Sequence, residues 1–170
     1  MNKTVKMLLI FVGFPILIAG NVYFYFTEKA KQLPEIEFTL IDGKKLTVDE
    51  LKGKTVLLNF WATTCAPCRK EMPDLVGLYH EFSEKDVQII GISMAHDRPD
   101  QVIAFQQQYK IPYTLAMDID SVIVKSLSVE AIPLTLLISP RGQIEYRHIG
   151  VINVDDMRKR IAAMLPDERS

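Results

Sequence analysis

The chain of 170 residues predicts an α/β fold in which a mixed central β-sheet is flanked by helices on both faces. Three observations favour this class. Strand-like apolar segments alternate with helical patterns, and segment 55–61 is an unbroken apolar run typical of a strand covered on both sides. The chain then closes with a hairpin and a helix. It contains no internal repeat or low-complexity tract, so these patterns describe one α/β unit.

The predicted elements begin with an N-terminal β-hairpin. Asp42-Gly43 is a dipeptide typical of hairpin turns, and it separates strand 38–41 from strand 45–48. A turn-like lead precedes strand 55–61, and the helix after that strand carries a core-facing apolar stripe. The stripe consists of Met72, Leu75, Tyr79 and Phe82. The later elements are strand 87–93, helix 99–109 with Asp97 as a candidate cap, strand 114–117, helix 122–127, strand 134–138, strand 143–149 and helix 154–165 capped by Asn153.

Composition leaves room for one domain with an ordinary core. Hydrophobic residues make up 48% of the chain, and the formal net charge is −1. A near-neutral chain without a basic stripe has no surface suited to displacing counterions from a phosphate backbone. Nucleic acid is therefore excluded as an expected partner.

The first residues predict a membrane anchor. Lys3 and Lys6 precede an uncharged stretch, 7–26, and about 20 apolar residues are enough to span a bilayer core of roughly 30 Å. The two lysines place the N-terminus in the cytoplasm, and the aromatic residues at 23–26 are typical of a membrane interface. The remainder of the chain is then expected outside the cytoplasm, on a bacterial inner membrane that is crossed once.

A cleaved signal peptide is the alternative for the same segment. Its apolar region would be shorter and would end in a small-x-small cleavage site, for which residues 17–21 are a poor match. We therefore predict a cytoplasmic stub and anchor over 1–27, a charged tether over 28–35 and a folded domain over 36–170.

Both cysteines of the chain fall in one motif, Cys65-Ala66-Pro67-Cys68, between the strand 55–61 and the helix after it. The N-terminus of a helix supplies unpaired N–H groups and partial positive charge, which favour the thiolate of the first cysteine. Two alternatives compete with redox chemistry. A zinc site would need four ligands, whereas His80, His96 and His148 are scattered singly. A purely structural bridge would close almost no loop and would stabilise little.

Four motifs carry a resemblance to a known family. They are residues 51–62, the pair Cys65-Ala66-Pro67-Cys68, residues 69–73, and residues 132–138. From Phe38 to Leu165 the chain resembles the thioredoxin superfamily, and within it the membrane-anchored TlpA/ResA/CcmG-like branch. The resemblance implies a thioredoxin fold with an N-terminal β-hairpin and a central βα insertion.

The same resemblance implies which residues bind the substrate. Pro133 matches the family's cis-proline beside the disulfide, and the backbone of Ile132 would pair with an extended substrate segment. Thr64, Ala66 and Pro67 would contact the substrate around the first cysteine. Thr64 stands where this branch usually has a tryptophan, so substrate preference is expected to differ. Trp61 is expected in the core.

A proton acceptor for the second thiol is also implied. Asn59 occupies the position of a buried acid in cytoplasmic thioredoxins, and it is neutral here. Glu71 lies one helical turn beyond Cys68, and ResA-like proteins have an active-site glutamate at this place. The alternative is that Glu71 is a solvated residue beside Arg69 and Lys70.

These residues predict a membrane-tethered thiol-disulfide oxidoreductase without a cofactor. Cys65 would attack a substrate disulfide, Cys68 would resolve the mixed disulfide, and Glu71 and Pro133 would assist. The family implies apocytochrome c or copper-site assembly proteins as substrates and a membrane thiol donor of the DsbD type. Two rivals remain. One is a copper- or haem-handling module that uses the cysteines with Met94 and His96, and the other is a thiol peroxidase.

Overall fold

The computed structural model describes residues 32–165, whose centre is a seven-stranded sheet. Its strands are β1 (Glu37–Leu40), β2 (Lys45–Thr47), β3 (Thr55–Trp61), β4 (Val87–Ser93), β5 (Thr114–Met117), β6 (Leu134–Ile138) and β7 (Ile144–Ile149). The helices are α1 (Ala66–Phe82), α2 (Pro99–Tyr109), α3 (Val122–Ser126) and α4 (Val154–Met164), with a 3-10 turn at Asp49–Leu51. The element bounds predicted from the sequence agree with these to within one residue.

The strands lie in the order β2-β1-β5-β4-β3-β6-β7. The pairs β3–β4 and β4–β5 are parallel, and the other neighbouring pairs are antiparallel. The sheet is therefore mixed, as predicted, and the thioredoxin fold is confirmed. The predicted central βα insertion corresponds to β5 and α3, which follow α2 and precede β6 in the chain.

Strand β3 is buried along its whole length, which confirms that both of its faces are covered. Its alternate side chains enter two different core clusters. Leu57 and Trp61 pack in the cluster that contains Cys68 of α1, and Leu58 and Phe60 pack in the cluster on the opposite face. Asn59 shares the face of Leu57 and Trp61, so a polar side chain from β3 is directed towards α1.

The N-terminal hairpin forms with the predicted turn. Phe38 on β1 lies opposite Leu46 on β2, and the side chain of Asp42 accepts a hydrogen bond from the N–H of Lys44 at 3.1 Å. Gly43 has a φ of +86°, a conformation that residues with a Cβ rarely adopt. The hairpin prediction is confirmed.

The prediction that Asp97 caps helix α2 is wrong. The helix begins after Arg98, whose N–H donates to the side chain of Gln101 at 3.1 Å. The carboxylate of Asp97 instead accepts three hydrogen bonds from other segments, as described below, and this leaves it no role at the helix end.

The predicted anchor, residues 1–27, and the first part of the tether lie outside the described residues. Within residues 32–165 none of the helices has the length and apolar character needed to cross a membrane.

Candidate active site

The two cysteines lie where β3 gives way to α1. Cys65 is the residue before the helix, and its Sγ accepts a hydrogen bond from the N–H of Cys68 at 3.2 Å. The two residues form a disulfide, with Cα atoms 5.3 Å apart. Cys68 is fully buried and Cys65 is half-buried. In the reduced protein the same helix end offers N–H groups and partial positive charge to a Cys65 thiolate.

The residues predicted to surround the first cysteine are exposed. Thr64 precedes Cys65 and Ala66-Pro67 follows it, and all three lie at the surface. Trp61 is fully buried, with its ring centroid 4.9 Å from that of Phe105, so its predicted place in the core is confirmed. The exposed surface beside Cys65 is therefore formed by small side chains and the proline ring.

The Ile132–Pro133 peptide bond is cis, as the resemblance implied. Pro133 is buried, and its carbonyl oxygen accepts a hydrogen bond from the N–H of Gly150 at 2.8 Å. Ile132 is half-buried and packs, like Cys65, against the core cluster that contains Cys68. In the part of the chain that the structure describes, no hydrogen bond uses the main-chain N–H or C=O of Ile132. These groups are thus available to an extended peptide.

Glu71 is fully buried, so the alternative of a solvated helix residue is wrong. The Nδ2 group of Asn59 donates to Oε1 of Glu71 at 2.7 Å, and the N–H of Ile152 donates to Oε2 at 3.1 Å. Asn59 Nδ2 also lies 3.2 Å from Oγ1 of Thr135. The neutral residue on β3 and the acid on α1 therefore form one hydrogen-bonded group, and Cys68 lies one helical turn from Glu71 in sequence.

Burial raises the pKa of the Glu71 carboxyl, because the charged form loses its hydration. The hydrogen bonds from Asn59 and from Ile152 oppose this shift. The charge of His148 also lowers this pKa, whereas that of Asp74 raises it. A carboxyl group whose pKa is raised in this way can exchange a proton with a neighbouring group closer to neutral pH.

The carboxylate of Asp97 holds the loop that precedes Cys65. This role of Asp97 could not be predicted from the sequence. Its Oδ2 accepts hydrogen bonds from the N–H of Thr63 at 2.8 Å and from Oγ of Ser93 at 3.0 Å. Its Oδ1 accepts from Oγ1 of Thr63 at 2.6 Å. Arg69 adds a longer contact of 3.4 Å to the carbonyl oxygen of Thr63. The partners of Asp97 lie on two segments, and only the tertiary fold brings them together.

Met94 and His96 lie in the turn after β4. The N–H of Met94 donates to the carbonyl oxygen of Trp61 at 3.0 Å, and His96 is exposed. Among residues 32–165, no three or more His, Cys, Asp or Glu side chains are grouped so that they could share a metal ion.

Comparisons with known proteins agree with this geometry. The profile of the AhpC/TSA family matches residues 30–147. The chain is 38% identical over 120 residues to the thiol-disulfide oxidoreductase ResA of Bacillus cereus. This alignment covers 71% of the present chain and 69% of ResA. It is 33% identical over 129 residues to ResA of Bacillus subtilis, with coverage of 76% and 72%.

A solved structure supports the same fold. A thiol:disulfide interchange protein of the thioredoxin family from Chlorobium tepidum superposes with a TM-score of 0.72 over 80% of this chain and 97% of that one. Its sequence identity of 23% limits this likeness to the fold. The solved structure thus supports the fold, and the ResA relatives support the thiol-disulfide chemistry.

Proposed function

We propose that this chain, which belongs to the AhpC/TSA family and is a thiol-disulfide oxidoreductase of the thioredoxin superfamily, reduces disulfide bonds of extracytoplasmic proteins while anchored in the bacterial inner membrane. The observation that carries the proposal is the unequal exposure of the two sulfur-bearing residues. Cys65 is half-buried at the helix end and Cys68 is fully buried, which assigns them different steps.

The reaction begins with the reduced enzyme. The Cys65 thiolate attacks one sulfur of the substrate disulfide, forms a mixed disulfide and expels the other substrate sulfur as a thiolate. Cys68 then loses its proton and attacks Cys65, which releases the second substrate sulfur and closes the Cys65–Cys68 bond. Two electrons pass from the enzyme to the substrate. Glu71 accepts the Cys68 proton, and the free main-chain groups of Ile132 hold the substrate as an added strand.

The proposed direction is reduction of the partner. The Ala66-Pro67 pair between the cysteines lacks the histidine that stabilises the reduced thiolate in strong oxidants of the DsbA type. Suitable substrates are cysteine pairs such as the haem-attachment site of apocytochrome c or those of copper-site assembly proteins. A membrane thiol donor of the DsbD type would return two electrons to the Cys65–Cys68 disulfide after each turnover.

The proposed anchor rests on the sequence of residues 1–27. The uncharged stretch 7–26 has the length of a membrane span, and the lysines before it favour a cytoplasmic N-terminus. The folded domain would then meet an environment in which substrate disulfides form and persist.

The experiment that tests the proposal traps the substrate. Cys68→Ala in the full-length protein removes the resolving thiol, so partners attacked by Cys65 should accumulate as mixed disulfides that mass spectrometry identifies after expression in bacteria. The matched control, with Cys65 also replaced by Ala, should capture nothing. Capture of exported proteins that contain cysteine pairs supports the proposal. Capture of cytoplasmic proteins only would overturn the location, and absence of any captured protein would overturn the reduction of protein disulfides.

A further inference from the structure

One peptide group joins two titratable side chains at the edge of the active site. The carbonyl oxygen of Val151 lies 3.2 Å from Nε2 of His148, and the N–H of the same peptide group, which belongs to Ile152, donates to Oε2 of Glu71 at 3.1 Å. A carbonyl oxygen only accepts hydrogen bonds, so Nε2 must carry the proton in this contact. The connection therefore runs from the imidazole N–H through C=O and N–H to the carboxylate.

We propose that His148 is a positioning residue for the redox reaction. Through the Val151–Ile152 peptide group, it affects how easily Glu71 accepts the proton of Cys68. This inference rests on the role proposed above for Glu71. It adds a residue on β7, 77 positions after Glu71 in the sequence, to the groups that control resolution of the mixed disulfide.

The register of the sheet supplies a second connection between the same two side chains. Asn59 on β3 lies directly opposite Thr135 on β6, and Thr135 lies directly opposite His148 on β7. Residues that lie directly opposite one another project from the same face of a sheet. Asn59, which is hydrogen-bonded to Glu71, therefore begins a polar row that ends at the half-buried His148.

The charge state of the imidazole determines the strength of this connection. A second proton, on Nδ1, makes the Nε2–H group a charged donor, and charged donors form stronger hydrogen bonds. A stronger bond to Val151 polarises the peptide group, so the N–H of Ile152 stabilises the Glu71 carboxylate more. The direct effect of the positive charge has the same sign, since His148 lowers the pKa of Glu71. Burial already has the largest effect on this pKa, and loss of the His148 charge removes one of the effects that oppose it, which favours the protonated acid further.

Two other ionisable groups interact electrostatically with Glu71. Asp74, on the same helix, raises the pKa of Glu71. Tyr113, before β5, has a phenol whose own pKa is raised by burial and by the charge of Glu71, and its O–H donates to the sulfur of Met72 at 3.0 Å. Neither of them has a hydrogen bond to Glu71 or to its two donors among residues 32–165.

His148 has its own charged surroundings. Its ring stacks on that of Tyr146 with centroids 6.1 Å apart, and the guanidinium of Arg160 on α4 lies 4.1 Å from the centroid of the Tyr146 ring. Arg160 is in turn paired with Asp156 at 2.8 Å. The charge of Arg160 is therefore already paired with that of Asp156. The hydrogen bond of His148 instead connects it, through the Val151–Ile152 peptide group, to Glu71.

The test replaces His148 by Gln in the purified full-length protein. The matched controls are His80→Gln and His96→Gln, which remove the other two histidines of the chain. The carboxyl ¹³C signal of Glu71 is followed by NMR from pH 4 to 9, together with the rate at which Cys68 resolves a preformed mixed disulfide. We expect H148Q to move the midpoint of Glu71 upward by about half a pH unit, a modest shift because a half-buried charge is partly screened.

Three further results are expected. In H148Q, the pH dependence of the rate at which Cys68 resolves the mixed disulfide should shift in the same direction as the NMR midpoint of Glu71. Neither quantity should change in the two control variants. His148→Lys, which keeps a cationic donor throughout this range, should move the midpoint downward and so tests the idea even where H148Q folds poorly. In the Glu71→Gln background, H148Q should change nothing further.

The opposite results separate the two proposals. An unchanged Glu71 midpoint in both H148Q and H148K, or an equal shift in H80Q, would overturn the role of His148 and leave that of Glu71 intact. Wild-type resolution rates in E71Q at every pH would overturn both roles, while reduction of disulfides by Cys65 and Cys68 would stand.

Discussion

Replacing Asp97 probes how the loop before Cys65 is held. In the native protein one carboxylate accepts three hydrogen bonds, two from Thr63 and one from Ser93. Asp97→Ala removes both acceptor oxygens, and with them all three hydrogen bonds, at a site where Asp97 is 5% exposed and Ser93 is 0% exposed. Asp97→Asn keeps the shape, because its carbonyl oxygen can accept from the N–H of Thr63 and the Oγ of Ser93 while its NH₂ donates to the Thr63 hydroxyl.

The magnitudes follow from these contacts. A hydrogen bond to a charged group contributes about 1.5–3 kcal/mol, but losses within one network do not add, and hydroxyl groups can rotate to new partners. We therefore expect D97A to lower the free energy of unfolding by about 2–4 kcal/mol. For D97N, in which the bonds persist without the charge, we expect a loss of about 1 kcal/mol.

The assay is urea unfolding of the oxidised protein, combined with the rate at which reduced Cys65 attacks a disulfide reagent. If the loop is displaced in D97A, Cys65 should attack the reagent about tenfold more slowly, because small changes in the geometry of reacting groups lower reaction rates strongly. Asp118→Ala is the matched control. Asp118 is also buried and accepts from two backbone N–H groups, those of Ile123 and Val124, but its bonds hold α3. D118A should lose stability and keep its Cys65 reactivity.

Two results would refute this reasoning. A D97A variant within about 0.5 kcal/mol of the wild type would mean that the three hydrogen bonds contribute nothing net. Equal loss of Cys65 reactivity in D97A and D118A would mean that reactivity follows global stability rather than the loop.

Three other predictions concern the cysteines, Glu71 and the membrane. Cys65→Ser should abolish disulfide reduction, whereas Cys68→Ser should leave trapped mixed disulfides on a non-reducing gel; the reverse pattern would exchange the roles of the two thiols. Glu71→Gln should slow resolution about 10- to 100-fold in stopped-flow measurements, and equal rates across pH 5 to 9 would exclude this role. Folding raises the pKa of Glu71, so this residue contributes its full share of stability at pH values below the pKa that it has in the unfolded chain. That contribution is lost as the pH rises through the pKa of Glu71 in the folded protein. E71Q should lack this pH dependence in urea titrations. The full-length protein should resist extraction by carbonate, while an N-terminus that starts after about residue 21 would indicate a cleaved signal instead.

The elements of the fold were predictable from the sequence because each depends on nearby residues. The period of apolar side chains marks β3 and α1, and the turn chemistry of Asp42-Gly43 marks the first hairpin. The cis bond before Pro133 came from the family resemblance, since the residues alone favour trans. Strand order and the role of Asp97 depend on contacts between distant segments, which periodicity does not encode.

The candidate site divides in the same way. The contact between Cys65 and Cys68 spans three residues and was expected from the motif. Glu71 was found by resemblance, but its donors lie 12 residues away on β3 and 81 residues away after β7. No local pattern distinguishes Ile152 from its neighbours, so the peptide group that connects Glu71 to His148 required the structure.

The hydrogen bond from Ile152 to Glu71 has a consequence for the nascent chain during translation. Ribosomes make the thiols and the acid first, and the donor to that acid follows 81 residues later. At about 5–20 residues per second this delay is roughly 4–16 s. Throughout this time the emerging chain carries both cysteines and Glu71, while Glu71 still lacks one of its two hydrogen-bond donors. The complete set of hydrogen bonds around Glu71 thus forms only after the C-terminal strands have been made, and a polypeptide truncated before Ile152 lacks this donor.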